Sequence, residues 1–305
     1  MFSETECIER REFTTLHKIV LGLVPGDLEQ QLSYSTADLN TVDNNGRTAI
    51  SIAAERGDLD SLSTLLRYGA DVNISSTSLS SPLHFAACAR NSSCIQPLLD
   101  AGALVDSLTD WKQTPLMYTA AYVKNAIPAE ILLDAGADID LRDLDGITAL
   151  GWTATAGNVP VAEVLIRRGA NVGNVDRRGD TFLALCVTNN QLDLLRLLRG
   201  RRITTDTSSS AKNLLVAVAY HANVETIDLL CDLSLEGVDL DARDHDYVLW
   251  LDILETRIDY DENLRRSIER LRRILQGQDE PLAVFDNGRA SSDDEDDFED
   301  APERL

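Results

Sequence analysis

His84 and Cys88 stand four residues apart, a spacing that puts an imidazole and a thiol on one face of a helix, and Cys94 follows soon after. Two chemistries use such a pair. A metal site needs a further ligand and an outer group to orient the imidazole. A Cys-His nucleophile needs an oxyanion hole and a third, orienting side chain. No residue pattern in the chain marks any of these. There are 4 histidines in all, and His221 and His245 are isolated. A phosphate-cradling G-x-x-x-x-G-K-[ST], an H-E-x-x-H and a G-x-S-x-G are all absent. The carboxylates of Asp43, Asp110, Asp143 and Asp176 read first as turn formers. The expectation is a non-catalytic chain with no cofactor and no metal; an undetected enzyme would have to rest on His84 and Cys88.

Charge narrows the partners. The formal net charge is -23 and the isoelectric point is near 4.4. Neutralising phosphates takes clustered Lys and Arg, so neither nucleic acid nor an anionic membrane is expected as a partner. A basic protein surface is the better match. Cys7, Cys88, Cys94, Cys186 and Cys231 are an odd set without C-x-x-C, which fits neither a disulfide framework nor a zinc set. The start of the chain lacks the apolar core of a signal peptide. No stretch approaches the length of a membrane-spanning helix. A monomer in the reducing cytoplasm or nucleus is expected. From residue 279 on, 11 acids against 2 arginines give -9. Such a tail cannot bury enough apolar surface to order itself. Ser291 and Ser292 have acids three residues downstream, a pattern suited to an acid-directed kinase.

The elements that carry these residues repeat. Gly-Ala pairs recur at Gly69-Ala70, Gly102-Ala103, Gly136-Ala137 and Gly169-Ala170, in steps of 33, 34 and 33 residues. A leucine-rich pair stands four residues before each: Leu65-Leu66, Leu98-Leu99, Leu132-Leu133, Leu165-Ile166. A fixed period of this size marks stacked supersecondary units. In the unit from Asp43 to Asn73, Asp43 and Gly46 make a tight turn. Thr48 caps a first helix, and Ser81, Thr114, Thr148 and Thr181 recur in phase. Pro82 and Pro115 occupy the favoured first helical position. Ala53-Ala54 is a small pair that lets neighbouring helices approach, and Gly57 closes the helix in the left-handed conformation. A second helix carries the leucines and stops at Gly69.

Ser81-Pro82-Leu83-His84-Phe85-Ala86-Ala87 and Thr114-Pro115-Leu116 resemble the T-P-L-H-x-A signature of the ankyrin repeat, with looser matches at Thr148 and Thr181. Leu16-His17-Lys18-Ile19-Val20-Leu21-Gly22-Leu23 is similar to the opening unit of ankyrin proteins of filamentous fungi. The resemblance implies an all-α solenoid of about seven helix-turn-helix units with short β-turn fingers, and it gives His17 and His84 a structural slot that ties loop to loop. It also implies a concave side lined by first helices and finger tips. The candidate partner-binding residues there are Glu55, Arg56, Phe85, Trp111, Tyr118, Tyr122, Arg142, Trp152, Arg177 and Arg178. Tyr, Trp and Arg are the types that anchor interfaces. Phe85, Tyr118 and Trp152 could instead pack between first helices, whereas Trp111 and Tyr122 fall where the family faces solvent.

The domain expectation is an N-terminal segment 1–10, the array 11–243, capping helices 244–277 and an acidic tail 278–305. Within the array, 201–212 lacks the Asp-x-x-Gly turn and is expected to be a mobile loop or distorted finger. The five arginines between Arg265 and Arg273 read as a solvated face paired with nearby acids. The leading function is a protein-protein interaction scaffold. The alternatives are a regulator of transcription or protein turnover with a masking tail, and an assembly chaperone.

Overall fold

The computed structural model describes residues 12–200, 205–206, 211–233, 235–236, 248–257 and 260–278. The segment 1–10, Cys7, His245 and the acidic stretch from 279 with Ser291 and Ser292 lie outside the described residues.

The helices come in pairs. The first four are α1 (Thr15–Val20) with α2 (Leu28–Tyr34), and α3 (Ala49–Arg56) with α4 (Leu59–Arg67). Next come α5 (Pro82–Cys88) with α6 (Ile95–Asp100), then α7 (Pro115–Tyr122) with α8 (Ile127–Asp134). The array continues with α9 (Ala149–Ala156) and α10 (Val159–Arg167), α11 (Phe182–Thr188) and α12 (Leu192–Gly200), and α13 (Ala211–His221) and α14 (Val224–Cys231). First helices pack on first helices and second on second along the chain, with α4 meeting the next unit at the 3-10 turn Ser92–Cys94 that leads into α6. The fold is an all-α solenoid.

The local reasons are those legible in the repeat. Thr48, Thr114, Thr148 and Thr181 cap their helices by accepting the N–H of Ser51, Met117, Gly151 and Ala184. Pro82 and Pro115 open theirs. Gly57 and Gly157 close α3 and α9 with positive φ. The small pairs Ala53-Ala54, Ala86-Ala87, Thr119-Ala120 and Thr153-Ala154 are completely buried, which lets adjacent first helices approach closely. The buried leucines of the second helices join them in one continuous core from Leu16 to Leu271.

The sequence period stops near 243, but the two-helix geometry does not. Helices α15 (Trp250–Glu255) and α16 (Glu262–Leu275) pack on α13 and α14 as a further first and second helix. Trp250 is fully buried there. The exposed side of α16 is charged, and one of its arginines reaches back to the preceding unit. Arg265 pairs with Glu269 at 3.3 Å, Arg266 with Glu262 at 3.4 Å, and Arg270 with Asp232 at 3.6 Å. Of the 201–212 stretch, only 205–206 and the helix start at 211–212 are described. The two-residue strand β1 (Thr205–Asp206) runs parallel to β2 (Leu235–Glu236).

Units are also joined by struts at the helix ends. Asn158 donates to the carbonyls of Ala120 at 2.8 Å and Val123 at 2.7 Å, closing α7 from the next unit. Lys124 reaches the other way, to the carbonyls of Ala156 and of Gly157, the latter at 2.9 Å. Arg257 donates to the Ala222 carbonyl at 2.7 Å beyond α13.

Among the described residues, five of the connections between units form a finger. In each, the first turn residue donates its N–H four residues on: Asp43 to Arg47, Ser76 to Ser80, Thr109 to Gln113, Asp143 to Ile147, Asp176 to Asp180, at 2.9–3.1 Å. Successive tips are bonded backbone to backbone. Thr77 donates to Asn45, Asp110 to Ser78, Leu144 to Trp111 and Arg177 to Asp145. The fourth turn residue has positive φ in each of these five fingers: Gly46, Leu79, Lys112, Gly146 and Gly179. Glycine tolerates that conformation without cost from a Cβ, whereas Leu79 and Lys112 hold it against steric preference.

Candidate protein-binding surface

His84 is fully buried, and both ring nitrogens are engaged. Nε2 lies 3.0 Å from the Gln113 carbonyl oxygen, which can only accept, so Nε2 carries the proton. Nδ1 then accepts from the Ser81 N–H at 3.1 Å. Burial pushes the His84 pKa down to about 4, against the pull of the Gln113 carbonyl. His17 is held in the same way, with Nε2 2.9 Å from the Arg47 carbonyl, and burial lowers its pKa too. Each imidazole therefore ties a first helix to the next finger. Cys88 donates to the Phe85 carbonyl at 3.4 Å, and burial pushes its thiol up to about 11. Such a thiol is a poor nucleophile at neutral pH. Cys186 and Cys231 are shifted upward by burial as well. Among the described residues no group of three His, Cys, Asp or Glu is arranged to hold a metal ion.

The candidate binding residues fall into three groups. Trp111, at a finger tip, is 60% exposed, and Tyr122, at the end of α7, is 66% exposed. Phe85, Tyr118 and Trp152 are half-buried on successive first helices, packed against the core but still reaching water. Tyr118 is braced by an edge contact from His84, with centroids 5.0 Å apart, and its hydroxyl lies 3.3 Å from Ser80 Oγ. The Trp152 indole donates to Asp143 at 3.0 Å. These three both pack and present surface.

The charged candidates divide differently. Arg142 bridges to the next finger, donating to the Val175 carbonyl at 2.7 Å and to Asn174 Oδ1 at 2.8 Å. Glu55 is held by Arg47 at 2.9 Å. Arg56, Arg177 and Arg178 are exposed, and their side chains have no bonding partner among the described residues.

Two features escaped the reading of spacing. Leu79 is 51% exposed on the finger beside Trp111, where a turn glycine would otherwise sit. Asp110 is not a turn former. The turn opens at Thr109, whose N–H pairs with Gln113, and Asp110 stands one place further out, exposed, with no side-chain partner among the described residues. The helix caps carried the missing signal. Asp43, Asp143 and Asp176 each lie five residues before the capping Thr, but Asp110 lies four before Thr114.

The pattern that defines ankyrin repeats matches three overlapping stretches, residues 16–109, 83–176 and 116–208. Neurogenic locus notch homolog protein 1 of Homo sapiens is 34% identical over 154 residues, 50% of this chain and 6% of that protein. Ankyrin repeat domain-containing protein SAT10 of the fungus Stachybotrys chartarum is 28% identical over 206 residues, 67% of this chain and 10% of its own length. SH3 and multiple ankyrin repeat domains protein 2 of Homo sapiens is 29% identical over 157 residues, 51% of this chain and 8% of that protein. The chain thus spans a tenth or less of these relatives.

Proposed function

Since the chain belongs to the ankyrin-repeat family, whose arrays are protein-protein interaction scaffolds, we propose that it holds a protein partner, without catalysis, on the face lined by first helices and finger tips. The observation that carries this reading is the exposure of Trp111 and Tyr122, at 60% and 66%, on that one face of a chain with 5% aromatics. Large exposed aromatics mark interaction sites. Half-buried Phe85, Tyr118 and Trp152 extend the surface along neighbouring units, and Arg177 and Arg178 flank it. A net charge of -23 favours a partner with a basic surface over nucleic acid or an anionic membrane. The described cysteines are all free thiols, consistent with a monomer working in the reducing cytoplasm or nucleus.

The test is affinity capture from an extract of the organism that makes the protein, with Trp111→Ala/Tyr122→Ala in parallel. The double variant should lose specific proteins while its melting temperature stays near that of the parent. Equal capture by both, or a variant that no longer folds, would remove these side chains from the interface.

A further inference from the structure

The aromatic cluster beside the fourth first helix has a polarity that narrows the partner. Tyr118 and Tyr122 meet edge to face, with centroids 5.5 Å apart at 73°. Tyr118 is pinned between His84 and Ser80, so the pair has a fixed orientation. The exposure of Tyr122 leaves aromatic surface open to water. Asp110 projects from the finger just before this helix. Both Asp110 and Tyr118 touch the finger 76–80, Asp110 through its N–H to the Ser78 carbonyl at 3.3 Å and Tyr118 through its hydroxyl 3.3 Å from Ser80 Oγ, which sets the exposed carboxylate on the finger side of the tyrosine pair. An open aromatic face beside an unpartnered carboxylate attracts a cation.

A second observation is independent of charge. Leu79 and Lys112 keep left-handed backbone at the turn position that Gly46, Gly146 and Gly179 fill elsewhere. The two non-glycine fingers are adjacent, joined by the Asp110 N–H to Ser78 carbonyl bond at 3.3 Å, and the first of them meets the aromatic cluster through Ser80 and Tyr118. Backbone strain retained in two neighbouring turns, each with a large exposed apolar side chain, is expected of a ligand clamp.

We propose that the niche walled by Tyr118, Tyr122 and Asp110 takes a lysine or arginine side chain of an extended partner segment, whose neighbouring apolar residue rests on Leu79 and Trp111 at the finger tips. This rests on the scaffold reading and names the chemistry of its ligand. The cation lies over the exposed tyrosine ring with its charge toward Asp110. The apolar neighbour covers the tips and removes their surface from water.

The probe is a fluorescein-labelled peptide repeating Lys-Leu-Ser, with Glu-Leu-Ser and Lys-Ser-Ser counterparts, titrated into the full chain by fluorescence anisotropy. The Lys-Leu-Ser peptide should bind, and the acidic one should not. Tyr122→Leu, which keeps apolar bulk but removes the ring, and Asp110→Asn should each weaken binding about tenfold, the scale of a desolvated cation–π contact. Asp60→Asn, an equal loss of charge on the outer helix α4, should have no effect. Leu79→Gly should weaken Lys-Leu-Ser but not Lys-Ser-Ser, while raising thermal stability. Absence of Lys-Leu-Ser binding, an unchanged affinity in Tyr122→Leu, or equal weakening by Asp60→Asn and Asp110→Asn would overturn the proposal. Should extract capture still depend on Trp111 and Tyr122 while Asp110→Asn leaves it intact, the basic side chain falls and the scaffold stands.

Discussion

Acid should weaken this protein through His84. In an unfolded chain the imidazole takes a proton near its ordinary 6.5, but in the folded protein it resists until about 4. The cause is geometric. Nε2–H is committed to the Gln113 carbonyl, Nδ1 accepts from the Ser81 N–H, and burial penalises the added charge. Between those two pH values the unfolded state holds the extra proton and the folded state does not, so stability falls as pH falls. The contribution of the neutral imidazole is complete above pH 6.5 and is lost progressively toward pH 4. At about 1.4 kcal/mol per pH unit the loss amounts to about 2 kcal/mol by pH 5 and about 3 kcal/mol in full. Urea denaturation at pH 7 and pH 5 measures it, with His84→Gln as the non-titrating reference. The parent should lose about 2 kcal/mol more than the variant over that interval. His17 and the carboxylates are common to both and cancel. Nitrogen-15 spectra of the folded protein at pH 5 should find His84 neutral and protonated on Nε2. Equal losses in parent and variant, or a folded His84 that titrates near 6.5, would refute the reasoning.

Gly46→Ala should destabilise by about 2 kcal/mol in thermal melts, because φ is +71° and a Cβ would lie 2.7 Å from the Thr77 backbone nitrogen. Lys112→Gly should do the reverse, raising stability by about 0.5–1 kcal/mol as the left-handed strain is relieved. Trp250→Ala should cost about 4 kcal/mol by urea denaturation, the usual consequence of emptying a fully buried indole site. A much smaller loss would mean that α15 is only loosely attached to the stack.

The scaffold was legible because each of its marks has a local cause that recurs in phase. Thr48, Pro82, Gly57 and the small Ala53-Ala54 pair act within a few residues of themselves, and the period then aligns them. Exposure of Trp111 and Tyr122 was what the resemblance to the ankyrin repeat implied for their positions. What escaped the sequence was long-range or off-phase. Arg142 offers nothing in its own neighbourhood to reveal that it reaches Asn174 and Val175 in the following finger. The pair α15 and α16 continues the stack without the turn or Gly-Ala marks, so spacing alone could not place it; its packing on α13 and α14 does. Asp110 was misplaced by one residue through its likeness to Asp43 and Asp143, although the distance to the capping threonine distinguishes it. Leu79 had no visible role until the backbone placed it in a turn that favours glycine.

Asn158, Lys124 and Arg257 each finish a helix that belongs to the unit next door. The modules that these residues join are therefore not chemically whole alone, and one of them cut free would carry raw carbonyl ends and half a set of side-chain anchors. Pulled from one terminus, such a chain would be expected to peel module by module, each departure uncapping its neighbour and making the next easier. The same dependence lets the wall gain or lose length only in whole modules, since a fraction of one would leave its fasteners facing empty solvent.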